Sequence, residues 1–372
     1  MTTLTAVAST EYYKARRLPL PTHERWPTSA EHFCTALDEL HAAGRSWSIL
    51  GDGQHSRSFA KESADGDEHT VLRTDELKGI EDIDEKSGLV RVQSGMRWKE
   101  LKKALEQEGF SLQRYGLQPS SATVGGMLAR LRPGPPVLRG GTLLDGCVAI
   151  GAHTPTDGDY RYLVAPRKAS GPDLRYEFIG NGDAQGAILD ATLVIWRPVA
   201  ERLMRYHDCT LKDAAEKMNA LFRAGIMTSC VHYSHQRRSL QFILSAPGQL
   251  LRSRSRWINE HLGMPDETGD TDAAATRRDW LEARHPDRRS HPDAHRTRVF
   301  WLTPSALSDD PTELFGDGVS EVEIVNWTPR RVEAFVRYGD NLAESALVTA
   351  PDATCWADWP LVPLQPPPDH WS

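Results

Sequence analysis

The sequence predicts an α+β protein with two domains followed by a tail. Short strand and helix patterns alternate up to Trp196, and Pro198 then closes the last strand of this half. Beyond Pro198 the order changes to strand, helix, strand, strand, helix. The chain has 372 residues, enough for two or three domains at about 150 residues each. We therefore predict domains at 1–198 and 199–350, with a Trp/Pro-rich tail at 351–372.

The composition excludes several classes of function. Asp and Glu outnumber Lys and Arg by 51 to 44, and a net charge of −7 without a basic stripe does not suit nucleic-acid binding. No stretch approaches the ~20 apolar residues of a membrane span, and the N-terminus lacks the apolar core of a signal peptide. We therefore expect a cytoplasmic protein without a transmembrane segment. The five cysteines are widely spaced and form no CxxC pair, which predicts reduced thiols and no zinc site or iron–sulfur cluster.

The first half begins with a polar segment up to about Arg25, which we expect to be an arm or a loosely packed lead-in. Ser29 is typical of a helix cap, and Phe33, Leu37 and Leu40 follow at helical spacing. The other elements predicted here are strands at 47–50, 70–73, 88–93 and 187–196, a helix from Trp98 to Gly109, and a hairpin at 147–164 around an Asp-Gly turn. The Pro- and Gly-rich tract 118–146 is expected to be irregular, and loops of this length usually bind something.

The second half predicts a mixed layer of strands and helices. The predicted elements are strands at 202–207, 227–233 and 240–244 and helices at 211–223 and 250–262. This order resembles a split βαβ, ferredoxin-like layer. Strands at 299–302 and 322–325 and a helix at 329–338 complete the layer in this prediction. The charged segment 265–296 is expected to be a surface excursion, and the tail from 356 to 372 is too polar and proline-broken for regular structure.

Two glycine-containing loops carry the functional prediction. Gly51-Asp52-Gly53-Gln54-His55-Ser56 directly follows a strand, and its glycines let successive N–H groups point at a phosphate. By itself this pattern is also typical of a simple turn. Pro119-Ser120-Ser121-Ala122-Thr123-Val124-Gly125-Gly126 has small residues, hydroxyls and a glycine pair before it turns helical. Such a backbone can lie flat against an aromatic ring system or a phosphate, whereas a capped helix entry is the alternative.

These loops stand in a fixed order with other motifs. The GxGxxS loop is followed by a strand ending in Val92-Gln93-Ser94-Gly95, by a helix ending in Glu108-Gly109, and by Ala122-Thr123-Val124-Gly125-Gly126. This order resembles the FAD-binding domain of the vanillyl-alcohol oxidase/p-cresol methylhydroxylase (PCMH) superfamily. Within that superfamily the sequence is most similar to the flavin-binding E-type subunit of bacterial glycolate oxidase. The two share a Gly-Gly-Met-hydrophobic-Ala run and a Lys…Gly-x-Asp motif, here at 168–173.

The resemblance implies a fold, a cofactor and a set of binding residues. The fold is a two-subdomain PCMH-type FAD-binding domain followed by a ferredoxin-like α/β cap domain, with FAD between them. The residues implied to hold FAD are Gly51, Gly53, Gln54, His55 and Ser56 at the pyrophosphate, Pro119, Ser120, Ala122, Thr123, Gly125 and Gly126 at the flavin and ribityl side, and Ile188 at the adenine. We expect non-covalent FAD, because Gln54 separates Gly53 from His55. A covalent link through His55 is the alternative.

The resemblance also implies an FAD-dependent oxidoreductase, acting alone or within a complex. It would oxidise a small 2-hydroxy acid or alcohol by hydride transfer to the flavin, and a partner subunit, O2 or a quinone would take the electrons. One alternative is an FAD-binding electron-transfer or structural subunit without its own substrate chemistry. The other is a flavin-free scaffold that keeps only the fold.

No catalytic residue can be named from the sequence. Lys168 and Arg175, near the flavin loops, and Arg284, in a charged segment, are each either a site for an anionic substrate or surface charge. His232 and His235 lie three residues apart near the end of a predicted strand; in extended backbone they would point to opposite faces, so they do not predict a metal pair.

Overall fold

The structure of the chain is a computed structural model. The residues that the structure describes are 5–6, 12–13, 20–53, 69–112, 115, 121–130, 143–164, 173–182, 184–269, 297–302, 304, 307–315, 319–327, 329, 332–338 and 353–359. They divide into two compact units, one up to Pro198 and the other from Val199 onward. Among the described residues, no helix is both long enough and apolar enough to cross a membrane.

The first unit begins with a four-stranded sheet of order β1-β2-β4-β3. Its elements are β1 (Thr5–Ala6), β2 (His23–Arg25), helix α1 (Ala30–Ala42), β3 (Ser46–Leu50) and β4 (His69–Arg73). Strands β2 and β3 both run parallel to β4. Helix α1 buries Phe33, Leu37 and Leu40 on one face, and the Ser29 side chain accepts the His32 N–H at its start, as the sequence predicts.

A five-stranded antiparallel sheet completes the first unit, in the order β5-β6-β9-β7-β8. Its elements are β5 (Ile80–Asp84), β6 (Leu89–Gln93), α2 (Trp98–Gln107), α3 (Val124–Arg130), α4 (Leu143–Gly146), β7 (Cys147–Thr154), β8 (Gly158–Tyr162), a 3-10 turn (Leu174–Glu177) and β9 (Ala187–Val194). Val90 and Val92 of β6 enter the same core as Leu101 and Leu105 of α2. The tract 118–146, predicted as irregular, thus contains two short helices in its described part.

The N-terminal segment is not the loosely packed lead-in that its polarity suggests. Strand β2 occupies an interior position of the first sheet, between β1 and β4. Tyr13 is 1% exposed, and its hydroxyl donates to Glu24 Oε1 at 2.7 Å. The prediction was wrong because a buried Glu is counted as a surface residue unless its partners are known.

The second unit begins with the predicted ferredoxin-like layer. Strands β10 (Ala200–Tyr206), β11 (Cys230–Ser234), β12 (Ser239–Ala246) and β13 (Glu267–Gly269) alternate with helices α5 (Leu211–Arg223) and α6 (Gly248–His261). The strands lie antiparallel in the order β13-β10-β12-β11. This is the βαββαβ arrangement of a ferredoxin-like fold, with the helices contributing to one core on one face of the sheet.

The same sheet continues beyond β11 with four more strands, in the order β15-β16-β14-β17. The added elements are β14 (Thr297–Leu302), α7 (Pro311–Phe315), β15 (Val319–Trp327), β16 (Val332–Tyr338) and β17 (Ala353–Trp359). Two predictions fail here. The helix expected at 329–338 is strand β16, because Val332, Ala334 and Val336 are buried at a spacing of two. Residues 353–359, at the start of the expected irregular tail, pair with β14 instead.

Candidate functional site

The first predicted loop leaves the end of β3. Gly51, Asp52 and Gly53 follow Leu50 directly, and Gly53 has a φ of 74°, a left-handed conformation that favours glycine. The Leu50 carbonyl accepts the Thr74 N–H at 3.1 Å, so the ends of β3 and β4 are held together. The other three predicted residues of this loop, Gln54, His55 and Ser56, lie outside the described residues.

The second predicted loop is fixed along the end of β6. The Ala122 carbonyl accepts the Trp98 N–H at 2.9 Å, and Val124 N–H donates to Met96 O at 2.9 Å. Gly125 N–H donates to Ser94 O at 2.8 Å, and a Cβ at Gly125 would lie 2.6 Å from the Ser94 Cβ. Only glycine permits this close approach. Pro119 and Ser120, the first two predicted residues of this loop, lie outside the described residues.

The structure brings the two loops into direct contact. A Cβ added to Gly51 would overlap the Thr123 hydroxyl and lie 3.0 Å from its methyl carbon, so the backbone at Gly51 rests on the Thr123 side chain. The Thr123 hydroxyl in turn accepts the Gly126 N–H at 3.2 Å, at the first turn of α3. Gly51, Thr123 and Gly126 are therefore parts of one surface, although Gly51 is more than seventy positions from the other two in the chain.

Ile188, the predicted adenine contact, is 7% exposed and belongs to the same core of the first unit as Val124. The carbonyl of the next residue, Leu189, accepts the Ser94 N–H at 2.9 Å, and Ser94 is the residue that contacts Gly125. The strand that carries Ile188 is therefore bonded to the residue against which Gly125 packs.

An arginine that the sequence did not single out stands beside the first loop. Arg97 Nη2 lies 3.0 Å from Asp52 Oδ1 and 3.9 Å from Asp75 Oδ1. The Asp52 side chain is 4% exposed, whereas that of Arg97 is 43% exposed, so the carboxylate is fixed and the guanidinium still faces solvent. A guanidinium in this position adds positive charge where a pyrophosphate would be held. Its position before α2 gave no signal, because an arginine there is ordinarily a surface residue.

A buried ion pair lies close to the first loop. Arg73, at the end of β4, contacts Glu24 Oε1 at 3.3 Å and Asp75 Oδ2 at 2.8 Å. Its guanidinium also lies 4.2 Å from the centre of the Tyr12 ring, and the Tyr12 hydroxyl donates to the Gly51 carbonyl at 3.3 Å. Hydrogen bonds and the charge of Asp75 raise the pKa of Arg73 against the opposing effect of burial, so it stays charged.

Two buried hydroxyls test whether these residues fit a polar ligand. Thr74 Oγ1 and Ser94 Oγ have no hydrogen-bond partner among the described residues, although Thr74 is 5% and Ser94 is 1% exposed. The two residues are neighbours in space, because Gly95, which follows Ser94, packs so closely on Thr74 that a Cβ at Gly95 would overlap the Thr74 carbonyl. Buried hydroxyls are nearly always hydrogen-bonded, so unpaired ones beside two glycine loops suit a ligand with hydrogen-bonding groups. Ser94 stood within a recognised motif, whereas no sequence signal marked Thr74.

The other residues considered from the sequence do not join this surface. Arg175 donates to both carboxylate oxygens of Asp173 and to the Cys147 carbonyl, so it has a structural role rather than a free guanidinium. Lys168 and Arg284 lie outside the described residues. His232, in the second unit, is 5% exposed, and its Nε2 lies 3.4 Å from Glu323 Oε1.

Comparisons with known proteins agree with this architecture. Residues 21–161 match the family model of an FAD binding domain. A solved structure of an alkyldihydroxyacetonephosphate synthase superposes with a TM-score of 0.68 at 15% identity, covering 87% of this chain and 69% of that one. A 4-ethylphenol oxidase from Gulosibacter chungangensis, in complex with isoeugenol, superposes with a TM-score of 0.61 at 12% identity, covering 85% of this chain and 74% of that one.

The structural likenesses extend over both units, and at these identities they establish the fold alone. The family match covers most of the first unit, including Gly51, Gly53 and the whole of the 122–126 segment. The family match supports FAD as the cofactor. Residues 21–161 of this chain therefore match an FAD binding domain, and the chain as a whole has the fold of these two flavoenzyme-like neighbours.

Proposed function

We propose that the chain is an FAD-dependent oxidoreductase that holds the cofactor with the Gly51–Ser56 and Pro119–Gly126 loops and Ile188. The observation that carries the assignment of these residues is the contact between Gly51 and Thr123, since it makes two distant predicted loops into one surface. Arg97 would add charge at the phosphates, and the hydroxyls of Thr74 and Ser94 would supply hydrogen bonds. When bound, FAD supplies a hydride acceptor, while the protein orients it and its substrate.

We propose a small 2-hydroxy acid or alcohol as the substrate, in keeping with the resemblance to the glycolate oxidase flavin subunit. Oxidation of such a carbon releases one hydride and one proton, so a group that takes the hydroxyl proton is required. The proposed reaction therefore needs a proton acceptor in addition to the residues that hold FAD.

Anaerobic mixing with a series of 2-hydroxy acids and alcohols tests the proposed substrate class. Loss of the oxidised-flavin absorbance with one of these compounds, and not with its deoxy analogue, supports the proposal. A flavin-containing protein that none of them reduces would instead favour the electron-transfer or structural subunit.

The form of flavin attachment has its own test. We propose non-covalent FAD, since Gln54 separates His55 from the glycine that precedes it. After acid precipitation, non-covalent flavin remains in the supernatant. Flavin that stays with the pellet, and is lost from it in His55→Ala, would establish the covalent link instead.

A further inference from the structure

Four side chains with metal-ligand chemistry meet at the junction of the two sheets of the first unit. Cys34 and Asp38 are one turn apart on α1, which packs on the first sheet. His153 and Asp159 face each other across the β7–β8 hairpin of the second sheet, where they are register partners. The cluster thus joins a helix of one sheet to a hairpin of the other.

The distances within the cluster suit a single ion. His153 Nδ1 lies 2.8 Å from Asp159 Oδ1, and His153 Nε2 lies 2.9 Å from Asp38 Oδ1. One ligand atom each from Cys34, His153 and Asp159 lie within 4.8 Å of one another. A tetrahedral ion with bonds of about 2.0–2.3 Å separates its ligand atoms by about 3.3–3.8 Å, so small side-chain rotations would close the site.

The chemistry of the cluster favours zinc or a similar transition-metal ion. Thiolate, imidazole and carboxylate are the three ligand types that zinc takes from proteins. The Asp38 carboxylate contacts Nε2 of His153, which leaves Nδ1 as the ligand atom. In many metal sites a carboxylate orients a ligating histidine in this way. The His153 side chain is 7% exposed and that of Asp159 is 85% exposed, so an ion would have a fixed imidazole on one side and solvent on the other.

A redox role for Cys34 fits the surroundings less well. Burial, together with the nearby charges of Asp159 and Asp38, raises the pKa of the Cys34 thiol to about 11. A thiol of this kind is a poor nucleophile at neutral pH. The negative charges of Asp38 and Asp159 disfavour a thiolate when no metal ion is bound, but the same charges attract a cation.

We propose that Cys34, His153 and Asp159 bind a divalent transition-metal ion of the zinc type, with Asp38 orienting His153, and that the ion fastens α1 to the β7–β8 hairpin. The absence of a CxxC pair led to the expectation of no zinc site. That expectation considered only neighbouring cysteines, whereas Cys34 lies more than a hundred positions before His153 and Asp159 in the chain.

Zinc binding to the untagged full-length flavoprotein tests the proposal. After treatment with a chelator, the protein is dialysed against Zn²⁺ and the bound metal is measured by mass spectrometry. We expect one zinc per chain, and we expect zinc to slow alkylation of Cys34. Cys34→Ser and Asp159→Asn should lose this zinc, and Asp38→Asn should weaken its binding about 10- to 100-fold.

Two matched variants separate the site from general effects. Asp157→Asn removes an exposed carboxylate from the same hairpin turn without touching the cluster, and Cys209→Ser removes a buried thiol from the second unit. Both should bind zinc as the parent chain does. Asp159 is exposed, so its replacement should leave folding intact even if Cys34→Ser does not fold. Substoichiometric zinc, or zinc that persists in Asp159→Asn and leaves Cys34 alkylation unchanged, would overturn the proposal.

Discussion

At the scale of single residues, the buried ion pair of Glu24 and Arg73 constrains the structure beside the Gly51–Gly53 loop. Each side chain is 2% exposed, and Tyr13 adds a hydrogen bond to Glu24. Charges this deeply buried persist only with their partners, so the pair fixes how the N-terminal segment meets the end of β4. The adjacent ion pair between Arg25 and Glu39 is exposed at Glu39 and carries no such constraint.

Replacing Glu24 should therefore be more costly than replacing its neighbour. We expect Glu24→Gln to lower the free energy of unfolding by about 1–3 kcal/mol, because the buried Arg73 loses one charged partner and keeps only Asp75. Arg25→Gln should cost about 1 kcal/mol or less, as is usual for exposed pairs. Urea denaturation of the two variants measures the difference. A Glu24→Gln variant as stable as Arg25→Gln would show that the pair is not a structural requirement.

Gly51 allows a direct test of how the two loops fit together. In Gly51→Ala the new methyl group would overlap the Thr123 hydroxyl, and overpacking of this kind costs about 1–3 kcal/mol. If that strain separates the loops, FAD affinity should fall about tenfold, since each tenfold step corresponds to about 1.4 kcal/mol. Titration of FAD into the apoprotein measures the affinity. Gly269→Ala is the control, because its Cβ would meet open space in the second unit.

At the scale of elements, the accuracy of the sequence prediction depended on whether the signal was local. Helix α5 has the predicted bounds, 211–223, because its apolar spacing is a local signal, and in the structure Thr210 and Asp213 form a capping box at its start. Strand β16 was predicted as part of a helix at 329–338 because that segment begins with a proline and contains good helix formers. Its extended conformation is set by pairing with β14 and β15 on its two sides. Such pairing partners cannot be identified from the residues of the strand itself.

The capping box of α5 provides a prediction at this scale. Thr210→Ala should lower the free energy of unfolding by about 1 kcal/mol, because the Asp213 N–H loses its acceptor. Thr35→Ala, in the middle of α1, should have little effect, since its hydroxyl only bonds back to the Glu31 carbonyl. Thermal unfolding of both variants compares them. Equal losses would mean that the cap does not determine where α5 begins.

The same box gives a stability contribution that depends on pH. Hydrogen bonds from the Thr210 backbone and side chain lower the pKa of Asp213 below its usual 3.8. A depressed folded-state pKa stabilises the protein above the unfolded pKa, and this contribution disappears as pH falls through the lower folded value. Asp213→Asn should therefore differ from the parent chain near neutral pH and converge with it in strong acid. A difference that grows on acidification would contradict this assignment.

At the scale of the whole molecule, the sequence predicted the class of fold better than it predicted the site. The order of motifs was sufficient for a two-part FAD domain and a ferredoxin-like layer. Arg97, Thr74 and the cluster at His153 were missed because each depends on contacts between distant segments. Conversely, the contact of Gly51 with Thr123 turns two individually ambiguous loops into one surface, which no spacing rule can provide.

Binding of FAD should protect particular segments of the first unit from hydrogen exchange. At FAD concentrations 100 times the dissociation constant, the bound state gains about 2.7 kcal/mol, so openings that release FAD become rarer. We expect slower exchange at 46–53, 94–97 and 121–128, and no change at Leu211–Arg223, which is helix α5 of the second unit. Uniform protection of both units, or protection confined to the second, would argue against these loops as the FAD site.

The central claim is that this chain binds FAD through the first unit. The most direct test is the visible absorbance spectrum of the purified full-length protein, before and after incubation with excess FAD and removal of unbound cofactor. We predict a yellow protein with an oxidised-flavin spectrum and one FAD per chain. A protein that stays colourless after incubation with FAD would contradict the account and favour a scaffold that keeps the fold without the cofactor.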